Sequence, residues 1–188
     1  MNVRLLIIAA TWAMVVGAGM ATLAVYSNRA SEHPSPTRQI APDAEGRARL
    51  ILFLHPHCPC SAATMREFAR LLTRADERTA RVIYFYRPAE SEPAWSAGPL
   101  RSSAEALPSV ALADDCAGRI AEEFGARVSG EVRFYDAAGV LRFHGGITAA
   151  RGHEGDNRGA SAVAALLRGE PGDVDFSPTF GCSLHADR

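Results

Sequence analysis

The sequence contains no lysine, few cysteines and almost no net charge. All 20 of its Lys-or-Arg positions are arginine, a bias typical of a GC-rich genome rather than of a function. The net charge of -1 leaves no electrostatic footprint for nucleic acid, so we expect no nucleic-acid partner. Four cysteines are too few for a disulfide-stapled scaffold, and 188 residues can bury a core without one.

One long hydrophobic run covers residues 5–26, and its length of about 22 residues is enough to cross a bilayer as a helix. A cleaved signal peptide usually has a shorter apolar core, so the length favours an uncleaved membrane anchor within residues 1–30. Tyr26 stands at the far edge, where an aromatic side chain would meet the lipid headgroups. The lipid bilayer is therefore an expected partner of this helix.

The rest of the chain divides by composition into three parts. Residues 31–46 are polar and Pro-rich, which is typical of an extended tether; residues 47–170 have the pattern of one domain, and residues 171–188 form a tail. The periodicity predicts strands at 49–55, 81–86, 110–113, 131–135 and 140–144, and helices at 61–74, 116–124 and 160–167. This order predicts an α/β, thioredoxin-like fold, with a central mixed sheet flanked by helices.

The segment HPHCPCS places Cys58 and Cys60 between a buried strand and a helix. The first turn of a helix has unpaired N–H groups and the positive end of the dipole, so a thiolate there is stabilised and its pKa falls. A pair spaced this closely does little to tie a fold together, and it indicates redox or metal chemistry. We expect Cys58 to be the more exposed nucleophile and Cys60 to resolve, with His57 and Ser61 beside them.

Four segments resemble the RedB-type membrane-anchored thioredoxin-like proteins and, more distantly, the periplasmic thioredoxins of the TlpA type. They are HPHCPCS, SGEVRFYDAAGVLRFHGGIT, RGHEGDN and FGCSL. The resemblance covers the anchor and nearly the whole domain. It implies a single-pass protein of a bacterial inner membrane, with its domain facing the periplasm. It also implies exchange with protein thiols or disulfides through Cys58 and Cys60, without a cofactor.

The sequence departs from thioredoxins at three places. His57 replaces the usual tryptophan before the first cysteine, and Ser61 stands where the second cysteine of Cys-x-x-Cys would be. Residues 127–131 contain no proline, although thioredoxins have a cis-proline facing the disulfide there. A Cys-x-Cys disulfide also needs a bent chain, because bridged Cα atoms lie about 4.4–6.8 Å apart. We therefore expect substrate binding beside the sulfurs to differ from that of thioredoxins.

Other candidate residues lie far from the pair in sequence. The long loop at 145–157 is expected to overhang the site, because the last strand of the hairpin runs parallel to the first strand. His153 and Glu154 in this loop are candidates for proton transfer or substrate contact. Cys182 could fold back with the tail as an additional thiol. Cys116, at a predicted helix start beside two aspartates, is expected to be inert.

Two functions from different classes remain open. The first is a thiol–disulfide oxidoreductase. The alternative is a copper-binding or copper-delivery module on a thioredoxin-like scaffold, since soft thiolates and imidazole suit Cu(I). Its candidate ligands are Cys58, Cys60, His57 and His153. A peroxidase is disfavoured because peroxiredoxins use Thr-x-x-Cys, and His55 stands at the third position before Cys58.

Overall fold

A computed structural model describes residues 3–30, 40, 45–73 and 78–185 of the chain. Most of the predicted tether at 31–46 lies outside the described residues. One 3-10 turn covers Pro93–Ser96. The α-helices of the described part are α1 (Val3–Asn28), α2 (Ser61–Leu72), α3 (Pro99–Glu105), α4 (Arg119–Phe124) and α5 (Arg158–Leu167).

The strands form one sheet in the order β3-β2-β1-β4-β5-β6. They are β1 (Ala48–Leu54), β2 (Thr79–Arg87), β3 (Ala111–Cys116), β4 (Glu131–Tyr135), β5 (Leu141–Gly146) and β6 (Phe176–Ser177). The pairs β1–β2, β2–β3 and β5–β6 are parallel, whereas β4 is antiparallel to both β1 and β5. A parallel β1–α2–β2 unit, an antiparallel β4–β5 hairpin and a closing α5 make a thioredoxin-like fold. The predicted fold class is therefore confirmed.

The central strand β1 is buried on both faces, which explains its continuous apolar run. Successive side chains of a strand point to opposite faces, so Leu52 and Phe53 lie in different clusters. Leu52 packs in the larger cluster, on the side that α2 and α5 cover. Phe53 packs on the other side with Leu184 of the tail, and its ring centroid lies 5.7 Å from that of Phe124 in α4. The tail therefore contributes to the core.

The prediction that a helix begins at Cys116 is wrong about the first residue of that helix. Cys116 is the last residue of β3, and α4 begins three residues later, at Arg119. The carboxylate of Asp115 is buried and accepts hydrogen bonds from the N–H groups of Ile120 (2.8 Å) and Ala121 (2.9 Å). A side chain from the preceding strand thus satisfies the first turn of the helix, which the sequence pattern did not reveal.

Helix α1 has 26 residues, a mean hydropathy of 1.9 and no buried residue. By length and composition it is suited to be a membrane span or a signal sequence. Its C-terminal end contacts Arg151 of the domain. The Arg151 N–H donates to the carbonyl of Ser27 (3.1 Å), and its guanidinium lies 5.1 Å from the centroid of the Tyr26 ring.

Candidate functional site

The two cysteines occupy the short loop that joins β1 to α2. Two consecutive turns shape this loop: Cys58 N–H donates to the carbonyl of His55 (3.1 Å), and Ser61 N–H donates to the carbonyl of Cys58 (3.1 Å). Cys60 is the N-cap residue of α2, although its side chain makes no capping hydrogen bond. Cys58 therefore lies two residues before the N-cap, at the end of the helix where the dipole favours a negative charge.

A buried pair of serines holds the loop in place. The Ser129 hydroxyl accepts a hydrogen bond from the N–H of His55 (2.8 Å) and lies 2.8 Å from the Ser61 hydroxyl. The Ser61 hydroxyl in turn donates to the carbonyl of His55 (3.2 Å). Both serines are almost fully buried, so their hydrogen bonds are shielded from water. Ser129 thus ties the segment before β4 to the cysteine loop.

The tail returns to this same segment. Residues 176–184, here called the docked tail, begin as β6 and then run antiparallel to residues 127–129. Ser129 N–H donates to the carbonyl of Cys182 (2.8 Å), and Leu184 N–H donates to the carbonyl of Arg127 (2.9 Å). A β-bridge pairs Val128 with Ser183 between these two bonds.

Glycines make room for the docked tail. A Cβ atom on Gly145 of β5 would lie 1.9 Å from the carbonyl oxygen of Ser177, and one on Gly181 would lie 1.9 Å from that of Ser129. Real Cβ atoms do not approach a backbone oxygen so closely, so no other residue fits at either position without a shift of the chain. The tail can therefore follow this path only because both positions are glycine.

This path brings Cys182 against Cys58, and together with Cys60 they form the thiol cluster. All three are free thiols. Burial raises the pKa of Cys58, but a hydrogen bond from the Cys182 side chain and further bonds from the backbone and from Ser61 lower it more. The pKa of Cys58 therefore lies below its ordinary value. Cys58 is the member of the cluster that the fold favours as a thiolate.

The pKa values of the other two thiols move the opposite way. Burial and the negative charge of Cys58 raise the pKa of Cys60, although a hydrogen bond from Arg151 opposes this. Burial, then the hydrogen bond to Cys58 and its charge, raise the pKa of Cys182 to about 12. The positive charge of Arg151 partly offsets this rise in the pKa of Cys182. The Arg151 guanidinium also donates a hydrogen bond to the carbonyl of Gly181 (2.9 Å).

The expectation that Cys58 is the more exposed thiol is wrong. Cys58 is 5% exposed, whereas Cys60 is only partly buried. The sequence pattern suggested that Cys58 would point outward past Pro59, but it gave no sign that Cys182 would lie against it. The more acidic thiol is thus the less accessible one in this conformation.

The two histidines of the loop belong to an aromatic cluster. The His57 ring centroid lies 4.3 Å from that of Trp95, and the His55 ring stacks on Tyr86 at 5.2 Å. The N–H of His57 donates to Nδ1 of His55 (3.2 Å). Burial, and then the nearby charge of His57, lower the pKa of His55. The cluster packs the outer side of the loop.

Residues from the loop at 145–157 divide between two places. Glu154 forms ion pairs with Arg66 and Arg70 of α2, both at 2.5 Å, so it fastens the loop to the helix. His153 is exposed, and its Nδ1 hydrogen-bonds the carbonyl of Arg151 (2.8 Å). Arg151 is the residue of the loop at 145–157 that lies beside Cys60 and Cys182.

The copper ligands proposed from the sequence do not form one set. His57 packs against Trp95, while His153 is bonded within its own exposed loop. In the described part of the chain, no group of three or more His, Cys, Asp or Glu side chains is placed to hold a metal ion. The arrangement therefore does not fit the ligand set of Cys58, Cys60, His57 and His153.

Arg151 and Ser129 were not singled out from the sequence. Arg151 is the only arginine of the loop at 145–157, a signal that could have drawn attention to it. Ser129 lies in the stretch that lacks proline, and its N–H group binds the docked tail. A proline there would have no N–H to donate.

No protein-family model and no curated protein matches the chain. Among solved structures, a hypothetical protein from Sinorhizobium meliloti 1021 has a TM-score of 0.60 at 20% identity, covering 85% of this chain and 98% of that chain. An uncharacterized conserved protein from Geobacillus kaustophilus has a TM-score of 0.61 at 20% identity, covering 86% and 95%. The exposed lipoprotein thioredoxin of Streptococcus pneumoniae strain TIGR4 follows at a TM-score of 0.45 and 14% identity, covering 71% and 99%. At these identities the similarity extends to the fold alone.

Proposed function

We propose that the protein is a membrane-anchored thiol–disulfide oxidoreductase, with its domain on the periplasmic side of a bacterial inner membrane. The observation that carries this proposal is the position of Cys58. Its thiol lies in the β1–α2 loop of a thioredoxin-like sheet, beside a second thiol and among groups that lower its pKa. A pKa lowered by hydrogen bonds is what a nucleophile in thiol exchange needs.

The reaction transfers two electrons through a mixed disulfide. The Cys58 thiolate attacks one sulfur of a partner's disulfide, that S–S bond breaks, and the other partner sulfur leaves and takes a proton. Cys60 then loses its proton and attacks the sulfur of Cys58, which forms the Cys58–Cys60 bond and releases the partner as a thiol. The cysteine pair is oxidised and the partner is reduced; the reverse sequence oxidises a partner dithiol.

Arg151 supports the second step. Its hydrogen bond to Cys60 favours the Cys60 thiolate, and the charge of Cys58 that opposes this thiolate disappears once Cys58 is in a mixed disulfide. Arg151 also contacts the end of α1. If α1 spans the bilayer, the thiol cluster lies close to the membrane surface, where membrane-bound partners can reach it.

Trapping tests this proposal. Full-length protein carrying both Cys60→Ser and Cys182→Ser, which together remove the two thiols beside Cys58, should accumulate mixed disulfides through Cys58 when it is kept in its membrane. These adducts should run as heavier bands on non-reducing gels and disappear with dithiothreitol. The matched control adds Cys116→Ser, which removes a thiol outside the cluster and should leave the bands. Adding Cys58→Ser instead should abolish them.

A lack of any Cys58 adduct, with glutathione as well as with proteins, would overturn the exchange function. The copper module predicts a different result on the same protein. It requires tight binding of Cu(I) in competition with a Cu(I) chelator, lost in Cys58→Ser, without exchange activity. Binding of that kind together with no adduct would favour copper.

A further inference from the structure

The docked tail pairs with residues 127–129 beside the cysteine loop, and its Cys182 side chain hydrogen-bonds that of Cys58. We propose that Cys182 is a second resolving thiol, and that a Cys58–Cys182 disulfide closes the site by fixing the docked tail over it. This inference rests on the proposed function, because it requires that Cys58 exchanges disulfides.

The position of Cys182 is fixed by the backbone on both sides. The Cys182 carbonyl accepts from Ser129 (2.8 Å), and two residues later Leu184 N–H donates to Arg127 (2.9 Å). Leu184 is 1% exposed and belongs to the core on that face of the sheet. Gly181 is in van der Waals contact with Ser129, where a Cβ atom would not fit. The thiol is thus presented by a segment that is packed at Gly181 before it and at Leu184 two residues after it.

The docked tail uses the backbone groups that an incoming peptide would need. An extended peptide binds beside a strand by pairing its N–H and C=O groups with free ones. Of the segment 127–129, the carbonyl of Arg127 and the N–H of Ser129 are already paired with the tail. A protein partner that binds here must displace the tail, which agrees with the 5% exposure of Cys58. The tail therefore occupies the place of a substrate, with Cys182 in the place of the substrate cysteine.

The pKa of Cys182, like that of Cys60, depends on the state of Cys58. The hydrogen bond to Cys58 and the charge of its thiolate contribute to the raised pKa of Cys182. Both vanish when Cys58 enters a mixed disulfide, while burial and the favourable charge of Arg151 remain. The Cys182 proton is therefore held while Cys58 is reduced and is released more easily once Cys58 has reacted.

The chemistry balances without a further reagent. In the mixed disulfide, deprotonated Cys182 attacks the Cys58 sulfur, forms the Cys58–Cys182 bond and expels the partner thiolate, which takes up the proton. The site reopens when the Cys60 thiolate attacks the same Cys58 sulfur. The Cys58–Cys60 bond forms, Cys182 leaves as a thiolate and is protonated, and no net electrons are transferred in this exchange.

Disulfide mapping of the full-length protein tests the inference. Because the chain has no lysine, trypsin places Cys58 and Cys60 on one peptide (50–66), Cys116 on another (102–119) and Cys182 on a third (169–188). The membrane-bound protein is equilibrated with mixtures of reduced and oxidised glutathione, quenched with acid, alkylated and digested. We expect a cross-link between the first and third peptides to be the main intramolecular disulfide at intermediate potentials.

Two variants separate the effect of the Cys182 thiol from the effect of docking the tail. The cross-link should vanish in Cys182→Ser and fall several-fold in Gly181→Ala, which keeps the thiol but blocks docking. It should remain in Cys60→Ser and Cys116→Ser. Gly172→Ala is the control for a tail glycine outside the docked tail, because its Cβ would lie 3.3 Å from the Cβ of Ala162 and needs only a small shift there, whereas a Cβ on Gly181 would lie 1.9 Å from a backbone oxygen.

The possible outcomes distinguish this inference from the proposed function. A Cys58–Cys60 bond as the main product, unchanged by Cys182→Ser or Gly181→Ala, would overturn the role of Cys182 and leave the exchange function intact. A Cys58 that forms neither an internal disulfide nor a glutathione adduct would overturn both. A cross-link that Gly181→Ala leaves undiminished would show that the tail reaches Cys58 without docking and would also contradict the inference.

Discussion

The two ends of the described chain are both apolar, but they relate to the domain in opposite ways. Helix α1 has no buried residue, and apart from the helix's own neighbouring backbone nothing lies within 4 Å of the place where a Cβ on Gly17 would be. The docked tail is a close fit, with Leu184 only 1% exposed and Gly181 pressed against the backbone of Ser129. Hydrophobicity alone would not separate these two segments. Steric complementarity does, because only the tail meets a surface shaped for it.

The comparison also separates their roles. A helix with no buried residue can hold the domain at a membrane without packing into its core, whereas a segment packed beside Cys58 affects both the access to that thiol and its pKa. This difference should appear most strongly in folding stability and less strongly in thiol chemistry.

The largest effect is expected from Gly145→Ala. The new Cβ would lie 1.9 Å from the carbonyl oxygen of Ser177, at a φ of +125° that side chains rarely adopt. We expect the free energy of unfolding to fall by about 4 kcal/mol or more, because two strands must separate. Gly17→Ala in α1 is the matched control and should leave domain unfolding unchanged. Urea unfolding in detergent, followed by near-ultraviolet circular dichroism, measures both; equal stability of the two variants would contradict the packing of β6 on β5.

Leu184→Ala should have the next largest effect. Truncation of a buried leucine costs about 2–5 kcal/mol, depending on how far the site collapses. Leu23→Ala in α1 makes the same chemical change at a side chain that is 63% exposed, so it should not alter domain unfolding. The same urea titration compares the pair. A loss below 1 kcal/mol for Leu184→Ala would mean that the tail is not held as described.

Local patterns predicted the elements around the cysteines well. The apolar run of β1 and the spacing of Met65, Phe68 and Leu72 in α2 are set by near neighbours in sequence, and α2 begins at Ser61 as predicted. The positions of Cys58 and Cys60 in the connecting loop follow from these two elements. This part of the candidate site needed no knowledge of distant residues.

Contacts between distant residues were not predictable in the same way. Arg151 meets Cys60 only because the hairpin and the loop after it return to the first strand. The exposure of Cys58 depends on Cys182, more than 120 residues away, and the sequence left the docking of that residue open. Helix α3 was not predicted from the sequence. At Cys116, two aspartates suggested a helix start, yet Asp115 is buried in the strand and caps the helix from there.

The pH dependence of alkylation tests the effect of the tail on chemistry. Since only the thiolate reacts, the rate at Cys58 should reach half its maximum at a pH below the ordinary thiol value of 9.0. Cys182→Ala removes the hydrogen bond that lowers the pKa of Cys58 most and keeps the backbone of the tail, so the half-maximal pH should rise. Ser61→Ala removes a weaker contribution and should raise it less.

The lowered pKa of Cys58 also makes the stability of the folded state depend on pH. The folded state holds the Cys58 proton less tightly than the unfolded state does, so this stabilisation is complete above the ordinary thiol pKa and disappears as pH falls through the lowered value. Iodoacetamide kinetics with mass spectrometry of peptide 50–66 would measure the profiles. A half-maximal pH that stays the same in Cys182→Ala would mean that the tail does not affect Cys58.

The smallest effect is expected from Glu154→Gln. Comparing it with Arg151→Gln tests whether these two residues of the loop at 145–157 have separate roles, one at α2 and one at the thiols. The two residues lie three positions apart, but Glu154 pairs with Arg66 and Arg70, whereas Arg151 hydrogen-bonds Cys60. The Glu154 carboxylate is exposed, so losing its charge should change neither domain unfolding nor the alkylation profiles. Arg151→Gln should raise the half-maximal pH of Cys60, because the guanidinium lowers the pKa of that thiol. Alkylation of Cys60 at several pH values, in reduced protein, compares the two variants. If both variants shift the pH profile of Cys60 alkylation equally, the whole loop positions the thiols. If only Arg151→Gln shifts it, the effect comes from the charge of Arg151 beside the thiol cluster.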